Sequence, residues 1–108
     1  MGSYLEVVKG SSPKILLNLQ RKYASGSVVA ADLTGATITV KWRDSSNTVQ
    51  SKSGTIIDED KGQVQFWPSG SDTNGMNAGF LAFDVEVTIS SVKETWKFTR
   101  QIKILSGV

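Results

Sequence analysis

The 108-residue chain contains no histidine and no cysteine. Without histidine it lacks the commonest metal ligand and the usual general base, and none of its many serines has an imidazole to take its proton. Without cysteine there are no disulfides and no thiolate metal sites, and nothing speaks for an oxidising compartment. The chain therefore reads as a non-enzyme with no cofactor. No apolar run approaches the ~20 residues of a membrane span, and the N-terminus has no apolar signal core. Charge of one sign is not in excess either. Twelve Lys and Arg against ten Asp and Glu leave a net charge of +2, interspersed along the chain. A nucleic-acid binder needs a basic stripe, so neither nucleic acid nor membrane is an expected partner.

What is present is a globular balance, 39% hydrophobic and 20% charged, with three Trp, four Phe and two Tyr as core fillers. One domain over residues 1–108 is expected, with Met1-Gly2-Ser3 as a flexible lead. The stretch Asp32 to Asp44 turns at Gly35 and then alternates Ile38, Val40 and Trp42 against Thr37, Thr39, Lys41 and Arg43. That is the two-residue period of a half-buried strand. Trp42 is the expected central filler between two sheets.

The same period recurs along the chain. Tyr4 to Lys9 predicts a short strand, ended by Gly10-Ser11-Ser12-Pro13. Lys14 to Gln20 predicts a second, with Ile15, Leu17 and Leu19 inward. Arg21 to Gly35 is a long connection with a short edge strand at Val28-Val29. Asp44-Ser45-Ser46-Asn47 predicts a hairpin turn into a polar edge strand, Thr48 to Ser53. Gly54 to Asp58 follows, and Asp58 to Gly62 is a turn closed by glycine. Gln63 to Trp67 alternates until Pro68, and Ser69 to Ala78 is a second long loop. Leu81 to Ile89 is the clearest strand, with Leu81, Phe83, Val85, Val87 and Ile89 on one face. After a turn at Ser90 to Lys93, Glu94 to Leu105 returns with Trp96, Phe98, Ile102 and Ile104 on one parity. Arg100 interrupts that face, which predicts a bulge near Thr99 or a position at the open rim.

No segment has helical spacing. The expected fold is all-β, an antiparallel two-sheet immunoglobulin-like β-sandwich of seven to nine strands. A small closed barrel is the alternative, disfavoured because the two long connections suit crossings between sheets.

Three groups invite a chemical reading. Asp58, Glu59 and Asp60 form an acidic cluster, but their spacing matches no calcium loop and a solvated turn accounts for them. Asp84 and Glu86 share a face, and Lys41, Arg43 and Lys97 on neighbouring strands would make them cross-strand ion pairs. Trp67 and Phe80 have outward parity and flank the second long loop. They either form an exposed aromatic anchor for a protein or a glycan, or pack under the loop and pin it. The partner-binding candidates are accordingly Trp67, Asp72, Asn74, Met76 and Phe80.

The order of landmarks is also informative. Asp32-Leu33-Thr34-Gly35-Ala36 leads to Trp42-Arg43-Asp44, followed by Gly54-Thr55-Ile56-Ile57-Asp58, Lys61-Gly62-Gln63-Val64-Gln65-Phe66, Asp72-Thr73 and Ala78-Gly79-Phe80. Over nearly the whole chain this resembles the immunoglobulin-like N-terminal domain of the phage baseplate upper protein family, although the connection from Arg21 to Ala31 is longer than the family's usual turn. The resemblance implies a non-enzymatic virion component, assembled in the bacterial host cytoplasm, that links a tail or baseplate to fibre or receptor-binding proteins. Its implied partners are other virion proteins and further copies of itself in a cyclic ring. The alternatives are a capsid decoration protein, or an adhesion or carbohydrate-binding domain that takes a host-surface glycan.

Overall fold

The alternating stretches do form strands. A computed structural model describes residues 4–107, and the expected lead at residues 1–3 lies outside the described residues. Its strands are β1 (Leu5–Val8), β2 (Ile15–Asn18), β3 (Gln20–Lys22), β4 (Val28–Ala30), β5 (Thr37–Arg43), β6 (Val49–Ser53), β7 (Thr55–Asp58) and β8 (Gln63–Phe66). A short helix α1 (Gly70–Asn74) precedes β9 (Gly79–Phe80), β10 (Phe83–Ile89), β11 (Val92–Phe98) and β12 (Ile102–Leu105). The described residues are all-β apart from that helix. Its sheets run β11-β10-β5-β6, β2-β8-β7, β1-β12-β9 and β3-β4.

The architecture is compatible with a β-sandwich, because the sheets share one apolar core. Ile38, Val40 and Trp42 from β5, Phe83, Val85 and Val87 from β10, Ile15 and Leu17 from β2, and Val64 and Phe66 from β8 are all buried in it. Each such side chain contributes about 1.5–3 kcal/mol by leaving water. The sheets meet through aromatic rings: Phe66 lies 5.4 Å from Trp42 and 5.9 Å from Phe83, centroid to centroid.

Turn chemistry sets the registers. Asp44 Oδ1 accepts the Ser46 and Thr48 N–H groups at 2.9 and 3.0 Å, which holds the expected β5–β6 hairpin. Ser90 and Ser91 both adopt positive φ, the mirror-type turn that matches strand twist, and pair Ile89 with Val92. Gly62 closes the turn after β7 at φ +65°, where an added Cβ would collide with the Leu19 carbonyl oxygen.

The structure departs from expectation where strands change sheet. Twelve strand segments stand among the described residues instead of seven to nine, because two predicted strands are each broken and Gly79–Phe80 adds a short strand that was not expected. Lys14 to Gln20 breaks at Leu19, whose N–H bonds to Gly62 and whose carbonyl accepts the Ala31 N–H. The chain then enters the β3–β4 hairpin, which contains the expected Val28-Val29 edge strand. Glu94 to Leu105 breaks between β11 and β12, and β12 leaves the four-stranded sheet to pair in parallel with β1. That pair corrects the wholly antiparallel expectation. Arg100 sits at the break, exposed at the rim as anticipated.

The predicted nine-residue strand starts at Phe83, because the Leu81 N–H is already committed to Ile102 in the other sheet. The loop after Pro68 contains α1, contrary to the helix-free reading. Ser69 and Asp72 cap it reciprocally, the Ser69 hydroxyl accepting the Asp72 N–H and the Asp72 carboxylate accepting the Ser69 N–H.

Candidate interaction surface

The surface begins at the outer edge of β2. Leu19 donates to Gly62, and the antiparallel register pairs Leu17 with Val64 and Ile15 with Phe66. Alternate residues therefore aim their backbone groups at β8. The N–H and C=O of Leu16 point the other way, along an edge that no strand pairs with among the described residues. Ile15 and Leu17 are buried, whereas the Leu16 side chain is 54% exposed.

A groove of about 420 Å³ runs beside this edge, lined by Lys14, Ile15, Leu16 and Leu17 on one wall and by Tyr4, Leu5 and Gln101 on the other. Successive strand residues face opposite sides of a sheet. A groove touching four in a row therefore follows the strand's edge and not one of its faces. On the far wall the Leu5 N–H donates to Gln101 at 2.9 Å, so the Tyr4 carbonyl of the same planar peptide points away from β12.

A cation–aromatic cluster stands at each side. Lys14 lies 4.5 Å from the Trp67 ring centre, and the Trp67 indole N–H donates to the Ser12 carbonyl at 3.1 Å. Tyr4 meets Phe80 edge to face at 5.0 Å, and Arg100 and Lys103 lie 5.0 and 5.7 Å from the Phe80 ring. Such contacts contribute about 0.5–1 kcal/mol each at exposed sites and hold the rings in place.

The sequence candidates separate here. Trp67 and Phe80 are 48% and 39% exposed, so neither packs away under the loop. They belong to different clusters, joined by the groove that Lys14 and Tyr4 line. Asn74 is exposed. Met76 is 1% exposed and belongs to the core, which corrects its place among the candidate contacts: apolar loop residues close to a sheet fold under it. Asp72 is occupied in capping α1 and in a 3.0 Å ion pair with Lys52. Partial burial works against its ionisation, but the Ser69 N–H, the Lys52 ammonium and the Ser69 hydroxyl outweigh this and hold its carboxyl below the ordinary range. Tyr4, Lys14, Leu16 and Lys103 were missed as candidates. The signal for Lys14 was its register, one step beyond the Ile15–Phe66 pair and thus opposite Trp67.

The acidic groups have local explanations. Glu86 pairs with Lys41 at 3.2 Å and Lys93 at 3.7 Å, and Asp84 pairs with Lys97 at 3.3 Å, cross-strand as expected for Lys41 and Lys97, whereas Arg43 departs from expectation and donates to the Asn47 carbonyl of its own hairpin. Asp58 Oδ1 accepts the Asp60 and Lys61 N–H groups within its turn. Asp32 is held below its ordinary pKa by the Thr34 hydroxyl and N–H, which marks the turn before β5 as a structural feature. The chain matches no protein-family model and no curated protein sequence.

Proposed function

We propose that this chain is an immunoglobulin-like structural module of a tailed-phage virion, acting in the tail or baseplate and linking to fibre or receptor-binding proteins. It is a non-enzymatic part, assembled in the host cytoplasm, whose partners are other virion proteins and further copies of itself. The observation that carries an assembly role is the open β2 edge flanked by two exposed cation–aromatic clusters. Unpaired edge groups recruit strands, and aromatic and arginine side chains are favoured anchors of interfaces. The orders β2-β8-β7 and β6-β5-β10-β11 support the immunoglobulin-like reading, since they run as strands B-E-D and C′-C-F-G do in such domains. The landmarks from Asp32 to Phe80 support the phage assignment.

Mass spectrometry of purified particles from the strain encoding the chain tests this reading. Stoichiometric presence with the tail or baseplate fraction is expected. Presence with capsids alone would favour a decoration protein, and absence from particles would overturn a virion role.

A carbohydrate-binding domain is favoured by one separate observation. A groove of about 630 Å³ is lined by Phe80, Asn77, Asp84, Lys41 and Arg43 among others, an aromatic face beside polar groups. Its ionic groups are already engaged, Lys41 with Glu86, Asp84 with Lys97 and Arg43 with the Asn47 carbonyl, which leaves the β2 edge the better-supported surface. Binding on a glycan array that Phe80→Ala abolishes would reverse that order.

A further inference from the structure

We infer that the open edge of β2 pairs antiparallel with β2 of a second copy of this chain, about a two-fold axis through Leu16. This deepens the proposed assembly role by naming its surface and partner, and rests on that reading only for its place in a virion.

Exposed edges in native sheets are usually blunted by charge, bulges, brevity or cover. β1 carries Glu6, and its Val8 carbonyl is taken by the Ser11 N–H. β6 carries Lys52, and β7 is bulged between Ile56 and Asp58. β9 has two residues. β11 carries Lys93, Glu94 and Lys97 and is tied to the β3–β4 hairpin, Arg21 forking onto Glu94 at 2.7 Å and the Trp96 indole donating to the Gln20 carbonyl. β4 is uncharged but three residues long, on a hairpin whose other strand holds Arg21 and Lys22. β2 has four residues, no charge, no bulge and a half-exposed leucine at its middle.

The edge is self-complementary. With Leu16 opposite its own copy, the two residues exchange both backbone hydrogen bonds, because their N–H and C=O already point outward. Ile15 then faces Leu17 of the second copy, apolar against apolar. Lys14 faces Asn18, so no like charges meet. Two three-stranded sheets become one continuous sheet, β7-β8-β2 joined to its copy. In immunoglobulin-like domains the position beyond strand B belongs to strand A. Here β1 pairs with β12 instead, which leaves that position to a neighbour.

The absence of cysteine makes the test direct. Facing residues in a hydrogen-bonded antiparallel pair have Cα atoms about 5.5 Å apart, within disulfide reach. Under mild oxidation Leu16→Cys should give a disulfide-linked dimer, whereas Ile57→Cys on the bulged edge and Val92→Cys at the β10–β11 turn should stay monomeric. Leu16→Lys, which puts two cations at the axis, should keep the native circular dichroism and lose the dimer in sedimentation equilibrium. A wild-type chain that stays monomeric at millimolar concentration, or control cysteines that cross-link as fast as Leu16→Cys, would overturn the pairing. Those outcomes leave the particle composition, and hence the proposed virion role, to be decided separately.

Discussion

Trp42 of β5 and Phe66 of β8 lie with ring centroids 5.4 Å apart and planes tilted by 50°, joining the two main sheets across the core. The Trp42 indole N–H is buried without a hydrogen-bond partner among the described residues, so the side chain holds its place by packing. Trp42→Ala should cost about 3–5 kcal/mol in urea unfolding. Trp42→Phe keeps an aromatic contact and removes a donor whose burial costs about 1–3 kcal/mol, so it should be the milder change. Equal losses for the two variants would show that the indole N–H is bonded after all.

Gly62 lies at φ +65° with its own carbonyl accepting the Leu19 N–H and the Leu19 carbonyl oxygen standing where a Cβ would go. Ala would bring both left-handed strain and a clash with backbone, at the point where β2 ends and the chain crosses to β3. Gly62→Ala should therefore destabilise by more than the ~1 kcal/mol of an ordinary incompatible glycine replacement. Gly35→Ala is the control, since its positive φ is strained for alanine but nothing stands within 4 Å of the added Cβ. A loss at Gly62 no larger than at Gly35 would mean that the Leu19 carbonyl yields freely.

Asp72 predicts a pH dependence whose sign follows from its lowered pKa. A carboxyl that ionises more readily when folded stabilises the protein above its ordinary value of 3.8, and that contribution disappears as pH falls through the lower folded value. The melting temperature of the wild type should drop as pH is taken from 5 towards 2, and that of Asp72→Asn should drop less. Asp32 and Asp44 are unchanged in both proteins, so the difference between the curves belongs to Asp72. Parallel curves would remove Asp72 from the acid response.

The strands were legible in the sequence because a half-buried strand writes its period directly. Phe83, Val85 and Val87 and their partners Ile38, Val40 and Trp42 fell on one parity and are buried together. Sheet membership was not legible, because a strand that leaves one sheet for another keeps its alternation: Trp96 and Ile104 share a parity but sit on opposite sides of the break at Arg100. The pairing of β1 with β12 joins the two ends of the chain, and no local pattern encodes it. The helix did leave a signal, the three-residue spacing of Ser69 and Asp72, but five residues are too few for a helical period. For the surface, parity exposed Trp67 and Phe80 correctly, whereas Met76 looked like a loop residue and lies in the core. The open edge of β2 could be found only after every other strand had been given its neighbours.

Trp67 and Phe80 supply the last prediction. Both rings are about half exposed and clamped by cations, so truncation should remove only part of an aromatic's burial energy, about 1 kcal/mol, and leave the fold intact. Their effects on assembly should differ. Trp67 holds Lys14, which faces Asn18 of the second copy in the β2 pairing, so Trp67→Ala should weaken the dimer in sedimentation equilibrium. Phe80 packs against Tyr4 of the far wall without lining the groove, and Phe80→Ala should leave that dimer unchanged while reducing incorporation into particles. Unfolding of Trp67→Ala would give the half-exposed ring a share in the fold's stability and remove the assembly reading of Trp67. Loss of the dimer in Phe80→Ala with Trp67→Ala unaffected would place the contact on the β1-β12-β9 sheet instead of the β2 edge.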